Sequence, residues 1–176
     1  AADGIALAEL KTRVKNCFEA GAPAAGCDVE IQWALGDYLE IKDCWPLAER
    51  YKANAESLGR SFFPLEKIPT TGAGSTDMGN VSHRVPSIHP MIACAPPHVV
   101  IHNPEFAKYA GSETGDAAVL DGAKALAMTA IDVMTDDQLL KDARDQFNET
   151  ADLSAQAVAQ AWHGDGDAAL GGCGCC

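Results

Sequence analysis

Two segments of the chain carry residues whose types and spacing bear on chemistry. They are the small-residue acidic loop Gly74-Ser75-Thr76-Asp77-Met78-Gly79-Asn80-Val81-Ser82 and, further on, His102-Asn103-Pro104-Glu105-Phe106. A histidine delivered at the end of an apolar run, here Val99-Val100-Ile101, can aim one imidazole nitrogen at a metal held mostly by other segments. One ligand does not make a site. His83, His89 and His98 also fall within the twenty residues that end at His102. The β-branched run after Pro96-Pro97 reads as a strand, on which His98 and His102 stand about 13 Å apart. Two nitrogens each about 2.1 Å from one zinc cannot be carried that far apart without a sharp bend, so at most one of the two binds a given ion. His83, His89 and His98 read as surface or hydrogen-bonded side chains. Taken alone, the loop is turn chemistry, with Asp77 placed to cap or close a turn. The phosphate-loop and dinucleotide patterns GxxxxGK[ST] and GxGxxG, the serine elbow GxSxG and the zinc motif HExxH are all missing.

The elements that must position these residues can be read from periodicity. Leu7, Leu10, Val14, Cys17 and Phe18 share one helical face, and Gly21 and Pro23 are expected to stop that helix. Cys27, Val29, Ile31 and Trp33 alternate with polar residues, which predicts a half-buried strand ending at Gly36-Asp37. Pro46 opens a second helix, closed by Gly59. Residues 60–116 are rich in Pro, Gly, Ser and His, with strand candidates at Met78 to Arg84 and Val99 to His102. Ala117 to Met134 reads as a long apolar helix buried on more than one side. Thr135 with Gln138 reads as the capping box of a last helix, and Gly164 to Cys176 as a disordered tail. The order predicts α/β layers. The alternating strand has no neighbour in the first 43 residues, so either another chain pairs with it or the chain is the back part of something larger.

Composition narrows the function. At 176 residues, 47% hydrophobic and 22% charged, the chain has globular composition. Against 25 Asp+Glu stand 13 Lys+Arg, and the resulting charge of -12 repels phosphate backbones and anionic membrane surfaces. Neither nucleic acid nor membrane is expected as a partner, and without an apolar run near the ~20 residues that span a bilayer or a basic-then-apolar N-terminus a cytoplasmic protein is expected. Cys17, Cys27, Cys44 and Cys94 are scattered while Cys173, Cys175 and Cys176 cluster; an odd total at irregular spacing argues against a disulfide framework.

The segment from Gly74 to Pro90, GSTDMGNVSHRVPSIHP, resembles the signature loop of the aminoacylase and carboxypeptidase-G type of zinc-dependent metallopeptidases and amidohydrolases. Within that group it is closest to the p-aminobenzoyl-glutamate hydrolase and dipeptidase-like amidohydrolases. ELKTRVKNCFEAGAPAAG, from Glu9 to Gly26, resembles the family's smaller lid or dimerisation domain, and His102 with Glu105-Phe106 resembles its C-terminal histidine motif. The resemblance implies a partial two-domain di-zinc hydrolase of α/β class. Residues 1–43 would end an α/β lid domain, 44–150 would be the C-terminal part of an α/β catalytic domain, and 151–176 a flexible tail. It implies hydrolysis of an amide bond in an N-acyl amino acid, dipeptide or aminobenzoyl-glutamate-like substrate, with two zinc ions in a homodimeric complete enzyme. His102 would be the last metal ligand, Asp77 an orienting residue behind the ligands, and Ser75, Thr76 and Asn80 contacts to substrate polar groups. The other ligands and the glutamate general base would lie in a front half absent from this chain, leaving the isolated chain inactive. The alternative is a non-catalytic binding or oligomerisation module that uses the exposed lid strand.

Overall fold

The computed structural model describes residues 1–64 and 76–161. Among these residues seven helices form: α1 (Gly4–Ala24), α2 (Trp45–Ser57), α3 (Met78–Ser82), α4 (Pro104–Ala110), α5 (Glu113–Thr135), α6 (Asp137–Asn148) and α7 (Ala151–Ala161). The α/β expectation is overturned, because the described residues are helical and contain no β-strand. An isolated parallel bridge joins Asp43 to Ser87. The alternating segment 27–33 is non-helical and pairs with no strand among the described residues, since an extended run becomes a strand only when a neighbour supplies the ladder. With it goes the lid strand on which the binding-module alternative relied. Gly164 to Cys176 lies outside the described residues.

The chain divides into two compact units. Residues 1–42, 76–85 and 150–161 form one, and 43–64 with 86–149 the other.

In the first unit Asp3 caps α1, its carboxylate accepting from Ala6 N at 2.7 Å. Gly21 and Pro23 do not stop this helix. Pro23 sits in the last turn, where a missing N–H costs one hydrogen bond, and the chain turns only when Gly26 takes φ 69° and Cys27 N bonds Ala22 O at 3.0 Å. α1 packs on α7, and Leu39, Ala157 and Ala161 form the buried cluster with Val158 against it. Residues 151–161, grouped with the tail in the sequence reading, thus form a helix with one buried side. The apolar face read on α1 is covered only in part, for Leu10, Cys17 and Phe18 are exposed.

The second unit packs α2 against α5 and α6, with α4 on α5. Tyr51, Ala55 and Ala125 form its core, joined by Leu58 and Ile88. Pro46 does stand in the first turn of α2, and Gly59 follows its end at φ 86°. Two expectations fail here. The cap of α6 is Asp136, not Thr135: its carboxylate accepts from Gln138 N and Leu139 N at 3.1 Å each, while Thr135 still belongs to α5 and donates to Ile131 O. Nor is α5 buried on more than one side. Its inward face is Gly115, Ala118, Ala125 and Thr129, whereas Val119, Leu120, Leu126, Ile131 and Met134 are exposed.

Candidate functional site

His102 is built into its position by the residue after it. Asn103 is the N-cap of α4, its Oδ1 accepting from Glu105 N at 2.8 Å and Phe106 N at 3.0 Å. Its Nδ2 donates backwards to Val100 O at 2.6 Å. One amide thereby ties residue 100 to residue 106 across His102. Pro104 opens the helix with a preset φ, and Glu105 places a carboxylate in the first turn, where the helix dipole favours it. The strand expected over Val99 to His102 is absent: Val99 N turns back to Pro96 O at 2.9 Å, and His102 adopts φ 63°. Among the described residues it is the one non-glycine at positive φ. A left-handed histidine costs on the order of 1 kcal/mol or more, and such conformations cluster where a side chain must point in a set direction. Without the strand, the 13 Å spacing argument between His98 and His102 loses its premise. The imidazole of His102 is exposed.

The loop motif folds differently from the expected strand. Gly79 and Asn80 are poor strand formers, and residues 78–82 instead make the single helical turn α3, which docks on the extended segment 37–42. Asn80 accepts from Leu39 N at 3.1 Å and donates to Asp37 O at 2.9 Å. Ser82 is buried, accepting from Lys42 N at 2.9 Å and donating to Gly79 O at 2.7 Å. Gly79 lies so close to this segment that a Cβ there would meet Leu39 O at 1.8 Å. The Gly-Asn-Val-Ser lettering is therefore accounted for by clasping a neighbouring backbone. Thr76 and Asp77 stand before the turn, with the Thr76 hydroxyl accepting from Met78 N at 3.3 Å and donating to Asp77 Oδ1 at 3.4 Å. Asp77 is exposed. Thr76, Asp77 and Asn80 share the first unit, His102 belongs to the second, and Ser75 lies outside the described residues.

The other described histidines, His83, His89 and His98, differ in burial. His89 and His98 are exposed. His83 is buried, its Nε2 lying 3.3 Å from Glu40 Oε1 while Glu40 Oε2 accepts from Gly4 N at 2.9 Å. Neither ring nitrogen of His83 completes a hydrogen bond among the described residues. No sequence signal announces this pairing, because the two residues are 43 apart and meet only when α3 docks.

Among the described residues no three His, Cys, Asp or Glu side chains come together to hold a metal ion. What this segment offers is a single imidazole held in an enforced conformation.

No protein-family model matches the chain. Xaa-Arg dipeptidases of Homo sapiens and Mus musculus are 37% and 36% identical to it over 141 residues, 80% of this chain. The chain spans about a third of the length of these curated relatives, 32% in each case. The resemblance to the dipeptidase-like amidohydrolases is borne out by these relatives.

Proposed function

We propose that this chain, related over 141 residues to Xaa-Arg dipeptidases, works as part of a metal-dependent dipeptidase. His102 contributes one imidazole to a centre completed by residues outside these 176. The observation that carries the reading is the left-handed His102, clamped by the Asn103 cap within the segment that resembles the family's histidine motif. Zinc in such a centre supplies polarisation of the scissile carbonyl and activation of water. The chain's own part is to present a nitrogen at a fixed angle from a capped helix start, with Asp77 and Thr76 available on the loop for positioning.

The relatives' name favours a dipeptide, and the charge of -12 favours one ending in a cationic residue over an aminobenzoyl-glutamate-like anion. The whole enzyme would act in the cytoplasm as a homodimer, with two zinc ions and without nucleic-acid or membrane partners. No helix of the described residues is long and apolar enough to cross a membrane.

The test is a hybrid in which the matched 141 residues replace their counterpart in human Xaa-Arg dipeptidase. It should bind zinc and hydrolyse an Xaa-Arg dipeptide, whereas the 176-residue chain alone should do neither. Tight stoichiometric zinc and turnover by the isolated chain would overturn the reading.

A further inference from the structure

The large apolar residues of α5 point outward. Its inward side carries the small residues Gly115, Ala118 and Ala125 together with polar groups: Asp121 receives Arg60 at 2.8 Å, Thr129 accepts from Asn54 Nδ2 at 3.1 Å, and Asp132 accepts from the same amide at 2.8 Å with Arg50 at 3.5 Å. Its outward side carries the apolar ones. Between Ala117 and Met134 the exposed positions are Val119, Leu120, Leu126, Ile131, Met134 and alanines, with Lys124 the single exposed charge. At 100° per residue they cover about half the helix circumference along about 25 Å. Val119 is 71% exposed, Ile131 60% and Met134 83%. A surface helix of a finished protein shows the reverse arrangement, and an uninterrupted apolar face of this extent marks a surface that something covers.

We infer that the outer face of α5 is a docking surface for polypeptide of the same enzyme, supplied by the portion of the relatives' length that this chain does not match. The inference rests on the dipeptidase reading. A 141-residue match in a 176-residue chain includes α5 wherever it begins, and 68% of each relative's length lies beyond the match, since the match takes 32% of it. Enough chain is therefore available to bury the face. The covering surface should be aliphatic and nearly uncharged, because the strip offers only Lys124 for an ion pair and any other buried charge against it would stay unpaired. Glu113, Asp116 and Asp137 at the ends of the strip repel an anionic lipid surface.

The inference is tested by carbene footprinting of the peptide that spans α5. The isolated chain, the hybrid described above and human Xaa-Arg dipeptidase itself are compared, with sedimentation of the isolated chain in parallel. Heavy labelling of a monomeric isolated chain is expected, with labelling at least five-fold lower in the hybrid and over the matching helix of the human enzyme. Leu120→Asp together with Ile131→Asp should leave the melting temperature of the isolated chain nearly unchanged and lower that of the hybrid by several degrees. Should the hybrid not fold, the human enzyme's footprint decides. Equal labelling of the helix in the human enzyme and the isolated chain would overturn the inference. So would an isolated chain that is dimeric and already shielded, which assigns the face to a second copy, or one shielded only by lipid vesicles. A hybrid that shields α5 without hydrolysing a dipeptide keeps this interface and removes the catalytic reading; an active hybrid with α5 labelled does the opposite.

Discussion

Among single residues, His102 and Asn103 carry the proposed site. Asparagine tolerates the left-handed region as histidine does, so His102→Asn should change the stability of the chain by less than about 0.5 kcal/mol while removing the imidazole. Asn103→Ala removes the cap of α4 and the tie to Val100 O, and should cost about 1–2 kcal/mol in urea denaturation. If His102→Asn proves the more destabilising of the two, the residue is serving the fold and not a ligand. The helix start spelled by Asn as cap, Pro in the first turn and Glu beside it went unread and α4 was not expected; the segment was legible only as a histidine after an apolar run and through its resemblance to a histidine motif. Its enforced φ was not, since a positive φ at a non-glycine follows from what the neighbours bond to. Asp136 carries a second prediction. The Leu139 N–H bond, then the Arg50 guanidinium, hold its carboxyl below the ordinary 3.8. A lowered folded value means stability that is present above 3.8 and is lost as pH falls through the folded value. Asp136→Asn should therefore be less stable than the native chain at pH 7, with the difference closing below pH 3.8.

At the element scale the central observation is that the loop motif is a clasp. Gly79, Asn80 and Ser82 all face residues 37–42. Gly79→Ala should drive a Cβ into Leu39 O and cost about 3 kcal/mol, the upper end for overpacking, measured by thermal or urea unfolding. A loss under about 1 kcal/mol would mean the clasp yields easily. Helix existence was readable wherever periodicity was long, as in α1, α2, α5 and α6. Strands were misread for one physical reason: alternation and β-branching describe a segment's fitness for a sheet, and the sheet itself needs partners. Val99-Val100-Ile101 and residues 27–33 have the fitness and, among the described residues, no ladder. That the large apolar residues of α5 point outward escaped the sequence reading because periodicity marks an apolar face without saying which side the neighbouring helices take.

At the scale of the whole molecule, the chain matches about a third of each relative's length and leaves the outer face of α5 exposed. The proposal that it works as part of a metal-dependent dipeptidase rests on the match and on His102. The direct test of that claim is zinc content and kcat/KM of the human-dipeptidase hybrid with and without His102→Asn. The account predicts that the hybrid carries zinc and turns over an Xaa-Arg dipeptide. His102→Asn should lose bound zinc and at least about a thousand-fold in kcat/KM, roughly 4 kcal/mol of transition-state stabilisation, with its melting profile otherwise retained in the metal-free state. A His102→Asn hybrid with unchanged zinc content and unchanged turnover would contradict it.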